Sequence, residues 1–234
     1  GDVYKRQVSA EPFSHIAIDD FITPAILERC LDQFPKQADP DSRTFDRNQE
    51  RYKTSYNPDY LTPEVRSFFY SLNSRPFLQF LENMSGIKGL IPDPFFIGGG
   101  FHETRTGGHL DVHADFNLHR PMHLERRLNL LIYLNKDWRL EYGGGLELWD
   151  EKMESCVKQI VPEFGRCVVF STTDSSFHGH PSPINHPDGL PRPVFPALPL
   201  YDCGIATVVS ELPSGGELRV FSVDPAPGST EALI

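Results

Sequence analysis

The chain has 234 residues, of which 39% are hydrophobic and 23% are charged, and its formal net charge is −10. This length and composition predict a folded globular protein with one sizeable core. The negative net charge and the lack of a long basic run argue against a nucleic-acid partner. No apolar run approaches the ~20 residues of a membrane-spanning helix, so we expect no membrane partner either.

Helical signals are confined to the first third of the chain. Residues 1–10 are polar and lack periodicity, and we predict that they are non-native or disordered. Thr23-Pro24 and Thr62-Pro63 each combine an N-cap residue with proline at the first helical position, and apolar residues follow at helical spacing. A third helix is predicted over residues 76–84, so the segment 20–86 should form a helical support.

From residue 95 onward the sequence predicts strands and turns. The predicted strands cover residues 95–101, 109–116, 127–135, 146–149 and 166–171, with weaker candidates at 205–210 and 218–223. No helical pattern separates them, so we expect mainly antiparallel sheets. The sequence therefore predicts a mainly β fold, a double-stranded β-helix (jelly-roll) barrel over residues 95–210 that is buttressed by N-terminal helices. Residues 11–210 would form one domain, and the Ser-, Gly- and Pro-rich residues 211–234 a tail.

The four cysteines are scattered along the chain without CxxC spacing. They are Cys30, Cys156, Cys167 and Cys203. This pattern fits free thiols better than a disulfide framework or a zinc site, and it favours the cytoplasm.

The stretch HLDVHADFN (109–117) has ionisable side chains at alternate positions, namely His109, Asp111, His113 and Asp115. Side chains two residues apart project from the same face of a strand, so an extended segment would put all four on one face. A solvent-facing edge strand could give the same alternation. The residues alone therefore leave a metal site and a solvated face open.

An iron site for oxygen chemistry requires two His and one carboxylate on one face of the metal. An HxD pair on one strand supplies two adjacent ligands, and the third must be a His from another strand. His178 in SFHGHP (176–181) follows an apolar strand and is a candidate for the third ligand.

An ordered set of motifs extends this pattern over residues 13–192. The motifs are HADFN (113–117), RRLNLLIYLNKDW (126–138), YGGGLELWD (142–150), PEFGRCVVF (162–170) and SFHGHP (176–181). With them, the chain resembles the 2-oxoglutarate- and Fe(II)-dependent oxygenases, in their prolyl-4-hydroxylase-like branch. The resemblance implies that His113, Asp115 and His178 bind the metal. It leaves His109 and Asp111 as hydrogen-bonded polar residues, and His180 as either a partner of a ligand or an exposed residue.

The resemblance also implies cofactors, namely Fe(II), O2, 2-oxoglutarate as cosubstrate, and ascorbate as an accessory. The distal carboxylate of 2-oxoglutarate needs a cation, and arginine matches a carboxylate bidentately. Arg192 and the hydroxyl of Tyr133 correspond to the family's carboxylate-binding positions. After Arg192 the sequence PVFPALPLYDCG departs from the family pattern, and its three prolines argue against an ordinary central strand. A shift of reading frame near residue 192 would explain the departure.

The activity implied by the resemblance is hydroxylation of a C–H bond coupled to oxidative decarboxylation of 2-oxoglutarate. The expected substrate is a prolyl or other side chain in a protein, and the alternative is a free small molecule. A non-catalytic metal-binding jelly roll, either cupin-like or an inactivated oxygenase, is a third hypothesis. The basic segment 119–127 would be a substrate-contacting loop or a solvated one.

Overall fold

The computed structural model describes residues 10–36, 40–187 and 192–202, the last of these by its backbone alone. The predicted strands at 205–210 and 218–223, the tail 211–234 and residues 1–9 lie outside the described residues. All described residues belong to one compact unit. None of the helices in this part of the chain is long and apolar enough to cross a membrane.

Three α-helices lie close to the predicted positions. They are α1 (Pro24–Asp32), α2 (Pro63–Leu72) and α3 (Arg75–Ser85). Each has proline in its first turn, where a missing N–H costs no hydrogen bond. The third helix ends at Gly86, whose φ of 77° gives the left-handed C-cap that glycine adopts readily.

The described part of the chain contains twelve strands. They are β1 (His15–Ile18), β2 (Arg43–Arg47), β3 (Glu50–Tyr56), β4 (Leu90–Pro92), β5 (Phe101–His113), β6 (Leu118–His119), β7 (Leu124–Tyr133), β8 (Leu146–Trp149), β9 (Cys156–Ile160), β10 (Cys167–Ser171), β11 (His178–His180) and β12 (Arg192–Asp202). Their order is β1-β10-β7-β12-β5-β11-β8-β9, with antiparallel pairing throughout, and the β2–β3 hairpin joins at β5. The predicted mainly β jelly-roll fold with helical support is confirmed.

Two predicted segments differ from the structure. Residues 95–100 form a loop rather than a strand, because the Asp93 carboxylate accepts hydrogen bonds from the backbone N–H groups of Phe95 and Ile97 and closes tight turns. The predicted helical support also contains the β2–β3 hairpin. Its strands are rich in charged residues, so they carry no apolar alternation that sequence analysis could detect.

The expectation that three prolines exclude a central strand is wrong for β12. This strand has β7 on one side, while on its other side β5 pairs only with residues 192–194 and β4 only with residues 200–202. Pro196 and Pro199 lie between those two short ladders, where a missing N–H on the open side removes no ladder hydrogen bond. The pairing with β7 also shifts register between Ala197 and Leu200.

Strand β7 is buried on both faces and connects the two parts of the core. Leu130 and Ile132 pack in the cluster that includes the helices, whereas Leu131 and Tyr133 pack with β8 and β10 on the opposite face. Each fully buried side chain of this size contributes roughly 1.5–3 kcal/mol. This burial fixes the side chains of β7 that face the barrel interior.

Candidate metal centre

The metal-ligand segment of β5 changes face at a β-bulge. His178 of β11 lies opposite His113 and His180 lies opposite Leu110, so three residues of β11 span four of β5. The extra residue breaks the alternation. As a result Leu110 and His113 both line a cavity inside the barrel.

The prediction that 109–116 is one strand with four polar groups on one face is therefore wrong. β5 ends at His113, and Asp115 lies in the following loop. His109 instead contacts the backbone oxygen of Asn48 at 3.1 Å and the carboxylate of Asp111 at 3.5 Å. The Asp111 side chain is half exposed. These two residues pair with each other away from the cavity lining.

Three potential metal ligands meet at the end of β5. The Nε2 atom of His113 lies 3.5 Å from Oδ1 of Asp115, and Nε2 of His178 lies 3.6 Å from Oδ2. One ligand atom from each residue falls within 4.8 Å of the other two. We call His113, Asp115 and His178 the triad. Two imidazole nitrogens and one carboxylate oxygen match the donor set of non-haem Fe(II) oxygenases, so these residues fit Fe(II).

Backbone carbonyls orient both imidazoles of the triad. Nδ1 of His113 lies 2.8 Å from the Asp111 oxygen, and Nδ1 of His178 lies 3.0 Å from the Ser176 oxygen. A carbonyl only accepts, so each Nδ1 must carry the proton and donate it. Each Nε2 then has a free lone pair directed at the centre of the triad, which is the arrangement that metal-binding histidines require.

The surroundings of the triad keep its ligands in their metal-binding protonation states. Burial opposes ionisation of Asp115, but the guanidinium of Arg126 and the imidazoles of the triad outweigh it and hold the pKa of Asp115 far below its usual range. Burial lowers the pKa of His178 to about 4, against the opposing effect of Asp115. A carboxylate and a neutral imidazole are therefore present at neutral pH.

Two β7 residues that sequence analysis did not single out contact the triad carboxylate. Asn129 donates its Nδ2 hydrogen to Oδ2 of Asp115 at 2.9 Å, and an Nη atom of Arg126 lies 3.2 Å from the same oxygen. Arg126 is 5% exposed, and its guanidinium stacks over the ring of Phe116 at 4.7 Å. β7 carries four polar residues, Glu125, Arg126, Arg127 and Asn129, and their spacing does not indicate which two contact Asp115.

The cavity beside the triad has a volume of about 290 Å³. One wall consists of polar side chains from β3 and β5, namely Lys53, Ser55, His102 and Thr104, and Tyr133 of β7 also lines the cavity. His180 also lines the cavity and is 4% exposed, so the alternative of an exposed His180 is wrong. Within the basic segment 119–127, His119 and Arg126 are buried, whereas Arg120, Pro121 and His123 are exposed.

The predicted carboxylate anchor Arg192 begins β12. Its backbone lies opposite Thr104 of β5, and Val194, two residues further, lies opposite both His102 and Tyr133. The side chain of Arg192 is outside the described residues. Its contact with a carboxylate stays a prediction.

Comparisons with known proteins agree with this geometry. Residues 99–193 match the model of the 2OG-Fe(II) oxygenase superfamily, and this range contains the complete triad. The matched range covers less than half of the chain. A search of curated protein sequences gives no match.

Solved structures of several oxygenases share the fold. A Trichoplax adhaerens prolyl hydroxylase, solved with a peptide fragment of the hypoxia inducible factor oxygen degradation domain, has a TM-score of 0.60 at 17% identity, covering 90% of this chain and 92% of that one. A Pseudomonas putida prolyl-4-hydroxylase has a TM-score of 0.57 at 14% identity, covering 86% and 96%. HygX from Streptomyces hygroscopicus, solved with nickel, 2-oxoglutarate and hygromycin B, has a TM-score of 0.51 at 11% identity, covering 80% and 82%.

The family, its enzyme class and its main cofactors thus agree with the sequence predictions. The match over residues 99–193 and the donor set of the triad support the predicted 2-oxoglutarate-dependent dioxygenase with Fe(II), 2-oxoglutarate and O2. Prolyl hydroxylases are among the solved structures that share its fold.

Proposed function

We propose that this oxygenase hydroxylates a C–H bond of a prolyl or other side chain in a protein. The observation that carries the proposal is the triad, in which two imidazoles fixed by backbone carbonyls face one carboxylate at the cavity. In this proposal His113, Asp115 and His178 hold Fe(II). Arg192 and Tyr133 bind the distal carboxylate of 2-oxoglutarate.

The metal, with its cosubstrate and oxygen, supplies the oxidising power for a C–H bond, and the protein supplies position and protection. Asn129 and Arg126 hold Asp115 in place through one carboxylate oxygen. The buried phenol of Tyr133 gives the cavity a hydrogen-bonding group on an otherwise apolar wall formed with Leu131 and Leu146. Such a wall excludes water from the reacting groups.

A protein substrate is favoured by the cavity opening. The residues that line the cavity include Phe95 and Phe116, which are 54% and 43% exposed, and Arg43 and Phe45 of the β2–β3 hairpin. Apolar and cationic groups that flank an opening in this way suit a polypeptide that lies across it. A free small molecule is the second candidate, because a structural neighbour was solved with hygromycin B. Ascorbate as an accessory cofactor and the cytoplasm as compartment remain parts of the proposal.

The test is a turnover assay of the purified Fe(II)-loaded protein with 2-oxoglutarate and oxygen. We expect succinate, CO2 and oxygen uptake in equal amounts, and no turnover by His178→Ala. His109→Ala is the matched control, since it changes a histidine of β5 that lies outside the cavity lining. An iron-loaded protein that forms no succinate would instead support a non-catalytic jelly roll. Mass spectrometry of candidate peptides after turnover then separates a protein substrate from a small molecule.

A further inference from the structure

His102 is a cavity residue that the proposed mechanism does not use. It lies on β5 and shares the cavity with the triad. Its Nε2 atom is buried and has no hydrogen-bond partner among the residues whose side chains the structure describes. A buried polar atom without a partner is costly, so such an atom in a binding cavity indicates a group that a ligand satisfies.

The register of the sheet relates His102 to the predicted carboxylate site. On β12, Val194 lies opposite His102 on one side and opposite Tyr133 on the other. Residues directly opposite in an antiparallel pair project to the same face of the sheet. His102 and Tyr133 therefore flank one point on β12, two residues from Arg192, and both line the cavity.

His102 can donate a hydrogen bond to an anion while its own imidazole stays neutral. Burial and the nearby ammonium of Lys53 hold the pKa of His102 well below its usual range, against the weaker effect of Asp115. The imidazole is thus neutral and keeps one N–H. Lys53 lies on the neighbouring strand opposite Thr104 and lines the same wall, and its ammonium is paired with Glu50 at 2.6 Å.

We propose that His102 binds the distal carboxylate of 2-oxoglutarate by donating its Nε2 hydrogen, together with Tyr133 and Arg192. The proposal rests on the proposed function of the cavity. It adds a residue that the family motifs did not indicate, and it predicts discrimination for dicarboxylate over monocarboxylate 2-keto acids.

The test is anaerobic calorimetry of the Fe(II)-loaded full chain with two ligands. One is 2-oxoglutarate, and the other is 2-oxopentanoate, which has the same carbon chain without the distal carboxylate. We expect His102→Leu to bind 2-oxoglutarate about tenfold more weakly or worse, since a hydrogen bond to a charged group is lost, while 2-oxopentanoate affinity stays the same. His102→Gln, whose amide N–H reaches a similar position, should recover most of the affinity.

Controls separate this effect from misfolding and from failure of the proposed function. Melting temperature and iron stoichiometry of each variant should equal those of the wild type, and His102→Met replaces His102→Leu if the latter does not fold. His109→Leu on the same strand should bind both ligands normally. Equal 2-oxoglutarate affinity in wild type and His102→Leu, or an equal loss of affinity for both ligands, would overturn the role of His102 but not the proposed function. A wild type that binds iron but no 2-oxoglutarate would overturn the proposed function as well.

Discussion

Replacing Arg126 by Met should destabilise the metal-free protein mainly through Asp115. The two side chains are 5% and 17% exposed, and the Nη and Oδ2 atoms are 3.2 Å apart. At this distance and an effective dielectric constant near 20, the attraction is about 5 kcal/mol before desolvation is subtracted. Breaking a buried pair typically costs about 3–5 kcal/mol, because the remaining charge has no counter-ion. Asn129 still donates a hydrogen bond to the same carboxylate oxygen and offsets part of this cost, so we expect about 2–4 kcal/mol.

A double-mutant cycle isolates this pair from the lost packing of Arg126 on Phe116. Urea unfolding of wild type, Arg126→Met, Asp115→Asn and the double variant, all with chelator, gives the coupling energy. The folded-state pKa of Asp115 is depressed, so its contribution to stability is present above the unfolded pKa of about 3.9 and is lost as the pH falls through the folded pKa. The gap between wild type and Arg126→Met should therefore shrink in acid. Additive single-variant effects, or a gap that is independent of pH, would refute this reasoning.

Three further predictions concern metal, cosubstrate and backbone. Alanine at any triad position should abolish the binding of one Fe(II) per chain, while His109→Ala should retain it. The measurement is metal analysis after gel filtration, and iron retained by a triad variant would contradict the site. Arg192→Ala should weaken 2-oxoglutarate binding at least about a hundredfold and Tyr133→Phe less, as measured by calorimetry; unchanged affinity in Arg192→Ala would mean that the anchor lies elsewhere. Gly179→Ala should impair metal binding, because its Cβ would lie 2.8 Å from the Asp111 oxygen and force β11 away from β5; normal iron affinity in this variant would show that the strands can adjust.

Signals from neighbouring residues predicted the helices and strands whose bounds depend on capping or on a short apolar run. Helix α2 begins at Pro63 as the Thr-Pro signal indicated, and β8 has the predicted bounds of 146–149. Both depend on capping and on a short apolar run, which are properties of neighbouring residues. The motif order also indicated the three residues of the triad, which the structure brings within 4.8 Å of one another; their binding of a metal stays a prediction.

Features set by pairing with distant strands could not be predicted in this way. The face of His109 and Asp111 depends on a bulge that forms only because β11 pairs with β5 over unequal lengths. Similarly, β12 tolerates Pro196 and Pro199 because neither β5 nor β4 pairs with the middle of the strand, and its own sequence does not show this. The contact of Arg126 with Asp115 arises where β7 and the loop after β5 meet, and no periodicity within either segment reveals it.

The use of main-chain oxygens to orient the triad has a consequence for evolution. Asp111 fixes the His113 imidazole through its carbonyl group, while its side chain points elsewhere and is half exposed. Any residue that keeps the backbone path would serve equally well at that position. Mutational drift at positions 111 and 176 therefore leaves both imidazoles oriented, so only Asp115, held by Asn129 and Arg126, ties the metal site to the identity of its neighbours.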